Sequence, residues 1–161
     1  MPAAWLAALA SRVSARAFRP VPELVAEADA RLAGVEGTGL EKLVGHLYEE
    51  RSRRRIGDFP ITRRICGYWD RKDTEIDLVA VNDAEKRIRF GSCKRSANKL
   101  LGDVRNLKDH VARFLNENRA YQKWKIDYVG ISVRLTADDQ KVLARNDILP
   151  QPLEDLTAGL G

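Results

Sequence analysis

From Gly39 to about Arg54, apolar residues fall at Leu40, Leu43, Val44, Leu47 and Tyr48, the i, i+3, i+4, i+7, i+8 rhythm of an amphipathic helix. The rhythm then changes. Ile61–Tyr68, following Phe59-Pro60, and Glu75–Val81, following the turn-like Asp70–Asp73, read as short strands. Asn82-Asp83 predicts the turn of a hairpin into a third strand, Arg87–Lys94. Leu101, Val104, Leu107, Val111, Phe114 and Leu115 give a second helix over Leu100–Asn116 one apolar face. Ile126–Val133, apolar and rich in β-branched residues, suits a buried strand. Thr136, followed by Asp138 and Asp139, predicts the capped start of a last helix. Beyond it, Pro150 and Pro152 interrupt the tail, and Gly159-Leu160-Gly161 is expected to fray.

The chain before Gly39 is Ala-rich. Trp5, Leu6, Leu9 and Val13 are spaced for a helix over Ala3–Ala15, Arg19-Pro20-Val21-Pro22 breaks it, and a second helix runs to Leu32 before Gly34. The expected organisation is a helical arm over residues 1–36 and a domain over 37–161. In that domain the order is helix, three strands, helix, strand, helix. A hairpin-connected set of strands with a helical crossover to a further strand predicts an α/β fold, a mixed sheet flanked by helices.

Composition narrows this little. Apolar residues make up 44% and charged residues 32% of 161, a globular mixture for one domain. No run of about 18 apolar residues predicts a membrane span. Met1–Ala10 is apolar but its arginines follow it, at Arg12 and Arg16, so it reads as an amphipathic helix and not a leader. Cys66 and Cys93 fall in predicted strands without metal-type spacing, and a cytoplasmic setting is expected. The net charge of +5 tilts toward a polyanionic partner without identifying one. Gly34-Val35-Glu36-Gly37-Thr38-Gly39 lacks the Gly-Lys-Ser/Thr ending of a phosphate loop, so the chain is not itself an ATPase. His46 and His110 read as structural, and Tyr68, Trp69, Trp124 and Tyr128 as core or sheet-edge packing.

The chemistry concentrates in two stretches, Gly67–Ala80 and Phe90-Gly91-Ser92-Cys93-Lys94. Residues two apart on a strand share a face, so Glu75 pairs with Asp77 and Ser92 with Lys94. A hairpin would bring two carboxylates, a hydroxyl and an ammonium together, and the preceding helix would add Glu41. On their own, Glu75 and Asp77 are more simply the solvated side of an amphipathic sheet.

Together, Glu75-Ile-Asp-Leu-Val-Ala80 and Gly-Ser-Cys-Lys94 resemble the PD-(D/E)XK nuclease superfamily, and more narrowly the C-terminal domain of archaeal-type DEXX-box ATPases. The resemblance spans about Gly39 to Lys94. It implies a restriction-endonuclease-like core and Mg²⁺-dependent hydrolysis of DNA phosphodiesters, with an ATPase domain or subunit as a possible companion. It further implies Asp77 as primary metal ligand, Lys94 as catalytic lysine, Glu41 as the helix-borne acid and the Cys93 carbonyl as a further ligand. Such a centre holds a hard cation on carboxylates beside the scissile phosphate. Ser92 departs from the pattern, for an acid is usual there. Glu75, on the face of Asp77, is the expected substitute as a catalytic or metal-holding acid, and without one the site is weakened or lost. Arg51, Arg53, Arg54 and Arg55 suit either a solvated helix end or DNA phosphate contacts. Two functions stay open: a weak endonuclease, or a non-catalytic nucleic-acid-binding or regulatory module of a DEXX-box ATPase.

Overall fold

The structure, a computed structural model, describes residues 39–160. The helical arm expected over residues 1–36 lies outside the described residues. Helix α1 occupies residues 39–53, followed by β1 (Cys66–Trp69), β2 (Glu75–Asn82) and β3 (Arg87–Cys93). Helix α2 (Ala97–Glu117) leads through a 3₁₀ turn at Arg119–Tyr121 into β4 (Lys125–Ser132). Then come α3 (Ala137–Arg145), β5 (Leu149–Pro152) and α4 (Leu153–Thr157).

The five strands form one sheet in the order β1-β2-β3-β4-β5, antiparallel from β1 to β3 and parallel from β3 to β5. This is the expected α/β arrangement, a mixed sheet flanked by helices with the element order of a restriction-endonuclease-like core. The apolar stripe of α1 explains one layer: Leu40, Val44 and Tyr48 are buried against Leu78, Ala80, Val129 and Ile131, with Leu156 of α4. Leu100, Leu107, Val111 and Phe114 of α2 fill the other, against Val79, Val81, Ile88 and Phe90, with Leu143 of α3. Gly91 lets the centre close, since a Cβ there would lie 2.9 Å from Val129 Cγ1.

The ends of the helices follow from local chemistry. Arg55, at φ 58°, terminates α1: its N–H and that of Ile56 turn back to the carbonyls of Ser52 and Arg51 at 3.1 and 2.8 Å. Ser96 caps α2, accepting from Lys99 N–H, and Thr136 caps α3 in a reciprocal box with Asp139.

Two expectations are corrected. The first strand is not Ile61–Tyr68 but Cys66–Trp69, because the backbone before it is held elsewhere. Ile61 N–H donates to Ser52 Oγ at 2.9 Å and Ile65 N–H to Glu49 Oε1 at 3.1 Å, so α1 side chains take donors that a ladder would need. The tail is not broken at its prolines. Leu149–Pro152 pairs in parallel with β4 at the sheet edge, where a strand needs donors on one side only. Nor is the end simply frayed, for the Leu160 carbonyl accepts from Arg54 at 3.0 Å.

Candidate active site

The hairpin delivers the two motif stretches to one place. Leu78 is the partner of Gly91, and immediately beyond that pair β2 and β3 stop exchanging only backbone bonds. Asp77 inserts its carboxylate there: Oδ2 accepts from Cys93 N–H at 2.7 Å and from Lys94 Nζ at 2.9 Å. Lys94 N–H donates to Ile131 O at 3.0 Å, which ties the end of β3 to β4. Asp77 is buried and Lys94 half-buried.

The buried hydroxyl of Ser92 donates to Asp103 Oδ2 at 2.6 Å, and that oxygen lies 3.7 Å from Lys94 Nζ. Asp103 belongs to α2. Lys94 therefore bridges an acid from β2 and one from a helix, and the carboxylate beside Ser92 is Asp103 and not Glu75. The sequence carried a signal for it: Asp103 is three residues after Leu100 and four before Leu107, on the core-facing stripe, where an acid needs a partner.

Glu41 and Glu75 complete the acidic surroundings. Burial pushes the Glu41 carboxyl above its ordinary pKa, and the charges of Asp77 and then Glu75 push the same way, against Lys94. Burial alone would lower Lys94, but the hydrogen bond and charge of Asp77, with Asp103 and Glu75, outweigh it and hold the ammonium above its usual range. Burial also raises the Cys93 thiol well above normal, followed by Asp77 and Glu41. That sulfur stays protonated and is no thiolate ligand. The Glu75 backbone is held by His110, whose Nδ1 lies 2.6 Å from the Glu75 carbonyl, the structural role expected of that histidine.

Four carboxylates thus act on one ammonium. The surplus of negative charge and the oxygen donors fit a hard divalent cation such as Mg²⁺. Among the described residues no three His, Cys, Asp or Glu side chains are gathered as a ready metal shell.

Glu41 and Asp77 line a cleft of about 250 Å³ together with Lys42, Arg64, Cys66 and Gly67. Lys42 and Arg64 make no ion pair or hydrogen bond among the described residues. The arginines expected to meet phosphate do not line this cleft. Arg51 donates to the carbonyls of Asp155, Leu156 and Ala158, holding the end of α4. Arg54 pairs with Glu50 at 2.6 Å, Arg53 pairs with the same carboxylate, and Arg55 ends α1. Tyr68 and Trp124 pack as expected, edge-on to Phe114 and Tyr121. Trp69 does not: it is 72% exposed.

Residues 5–106 match the sequence profile of the family DUF234, described as "Archaea bacterial proteins of unknown function", and the chain belongs to that family. The matched stretch includes Glu41, Glu75, Asp77, Ser92, Lys94 and Asp103. No curated protein and no solved structure matches the chain.

Proposed function

We propose that this cluster is a Mg²⁺-dependent centre for hydrolysing DNA phosphodiesters, in which Asp103 supplies the acid that Ser92 lacks. The observation that carries the reading is the continuous line Ser92–Asp103–Lys94–Asp77, which places an acid at the departure from the nuclease motif. The motif resemblance supports it, as does the cleft with acids in its wall and, beside them, cations that have no partner among the described residues.

Asp77 and Glu41 would hold the cation, with the Cys93 carbonyl as the further ligand that the resemblance implies. Bound there, Mg²⁺ would acidify a water and neutralise charge developing on the phosphate. The chain's own residues do the rest. Cys93 N–H fixes the orientation of Asp77, leaving its second oxygen without that constraint. Lys94, kept protonated by Asp77 and Asp103, is a donor and a charge and not a base. It can orient a water or stabilise phosphate oxygen. Lys42 and Arg64 supply phosphate contacts on the cleft wall, a role that the sequence left open for Arg51, Arg53, Arg54 and Arg55. By the same resemblance, a DEXX-box ATPase is the companion of this activity.

The test is plasmid cleavage in Mg²⁺ and in chelator, with the native chain and Lys94→Met. Cleavage that needs Mg²⁺ and is lost in Lys94→Met supports the reading. Native protein that binds DNA yet cleaves under no metal condition would replace it with the non-catalytic module.

A further inference from the structure

Trp69 closes β1, the edge strand next to β2, and is the most exposed large apolar side chain among the described residues. Isolated exposed apolar residues are ordinary; the position of this one is not. The Tyr68 ring lies on the α2 side, its centroid 4.8 Å from that of Phe114. Alternation along the strand sends Trp69 to the opposite side, where α1 packs. Trp69 is also the register partner of Glu75. Directly opposed residues on antiparallel strands share a face, so the indole stands beside Glu75, whose charge reaches both Glu41 and Lys94. Gly67, two residues before Trp69, lines the cleft that holds Asp77, Lys42 and Arg64. Among the described residues Trp69 has no ring or cation partner.

The indole thus stands on the face of Glu75 and Gly67, beside a cleft walled by Glu41, Asp77, Lys42 and Arg64, and among the described residues neither the ring nor those two cations has a partner. We propose that Trp69 is a stacking platform for a nucleobase next to the phosphate held in the cleft, and that the substrate is nucleic acid with unpaired nucleotides. This rests on the nuclease reading and specifies its substrate class. In an intact duplex both faces of each base are covered by neighbours, so a side-on indole finds nothing to stack against. A single strand, flap or frayed end offers a bare face, and the phosphates beside it meet Lys42 and Arg64. The other large exposed apolar residues among those described, Leu43, Val133, Val142 and Leu149, belong to other elements than β1.

Fluorescence anisotropy without Mg²⁺ would measure binding of a labelled single strand, a flapped duplex and a blunt duplex to the native chain, Trp69→Ala and Trp69→Phe. The native chain should hold the single strand and flap about ten-fold tighter than the blunt duplex. Trp69→Ala should remove most of that difference and leave blunt-duplex binding within about two-fold, while Trp69→Phe, which keeps a ring, should retain it. Equal affinity for all three nucleic acids, or a Trp69→Ala loss that is the same on each, overturns the inference and leaves the nuclease reading standing. No binding of any nucleic acid overturns both. Self-association of the native chain that Trp69→Ala abolishes would assign the indole to a second copy and overturn the inference as well.

Discussion

At its start β3 presents Arg87 and Arg89; at its end it presents Ser92 and, just past the strand, Lys94. Arg89 is 2% exposed, donates to both oxygens of Asp58 at 3.1 and 2.5 Å, and lies 3.3 Å from Asp127. Arg87 meets Asp127 at 2.5 Å and Glu85 at 3.2 Å, and both guanidinium groups lie over the Phe59 ring. The hydrogen bond from Arg89 holds Asp58 below the usual carboxylate range, against burial. Every charge in this knot has an opposite partner. At the other end one ammonium faces Glu41, Glu75, Asp77 and Asp103, and burial first, then the charges of Asp77 and Glu75, raise the Glu41 carboxyl. Balanced burial of charge is what a structural network requires. An unbalanced set is one that an external cation would relieve, and perturbed groups beside a cleft are where chemistry is expected.

The comparison breaks most visibly at Asp77. Asp77→Asn keeps an oxygen that can accept from Cys93 N–H but removes a charge from the overloaded end. Cleavage should fall by about 1000-fold or more, near 4 kcal/mol. Chemical denaturation should show a stability change under about 1 kcal/mol, because repulsion on Glu41 is relieved. A large loss of stability would make this end structural too.

Arg89→Met tests the opposite end. It removes the buried guanidinium that donates to both Asp58 oxygens and leaves Asp127 to Arg87 alone, so the cost should be about 3 kcal/mol in urea unfolding. Mg²⁺ affinity measured by calorimetry should not change. A loss of both would mean that the two ends are not independent.

The contrast was only half legible from the sequence. Strand periodicity paired Glu75 with Asp77 and Ser92 with Lys94, while their place in a site, and that of Glu41, came from the motif resemblance, since periodicity alone suits a solvated sheet face equally well. Asp103 was passed over because α2 was read for its apolar residues alone, and an acid on that stripe gains meaning only when β3 is laid beneath it. The arginines at the end of α1 stayed open between a solvated helix end and phosphate contacts, because the acceptors of Arg51 and Arg54, the carbonyls of residues 155–160, are gathered only once the proline-bearing tail folds as β5 and α4.

Acidity sharpens the comparison more gently. With its carboxyl raised, Glu41 binds its proton more tightly folded than unfolded. Without Mg²⁺ its contribution to stability is fullest at acid pH and declines as pH rises through the raised value. Mg²⁺ binding should run the other way, strengthening as pH rises through that same value. Glu41→Gln should flatten both trends, as seen by calorimetry and thermal melts across pH. In the Arg87–Arg89 knot Asp58 is shifted the other way, so its contribution is lost as pH falls and not as it rises.

The smallest net effect is expected from exchanging the two groups that distinguish the open end from the ordinary motif. Ser92→Glu alone restores the motif acid, but the Ser92 hydroxyl is buried and donates to Asp103 at 2.6 Å. A carboxylate there would face Asp103 with no proton between them, so the single change should cost about 1–3 kcal/mol of stability. Asp103→Ser alone removes one of the two acids held by Lys94 and should weaken Mg²⁺ binding by about ten-fold, near 1.4 kcal/mol. The double variant moves the acid from α2 to β3 and the hydroxyl the other way. If Asp103 does the work of the missing motif acid, stability and Mg²⁺ affinity should both return to within about 0.5 kcal/mol of native, a strongly non-additive cycle. Additive losses in the double variant would mean that Asp103 only caps the Ser92 hydroxyl, and the centre would then be one acid short.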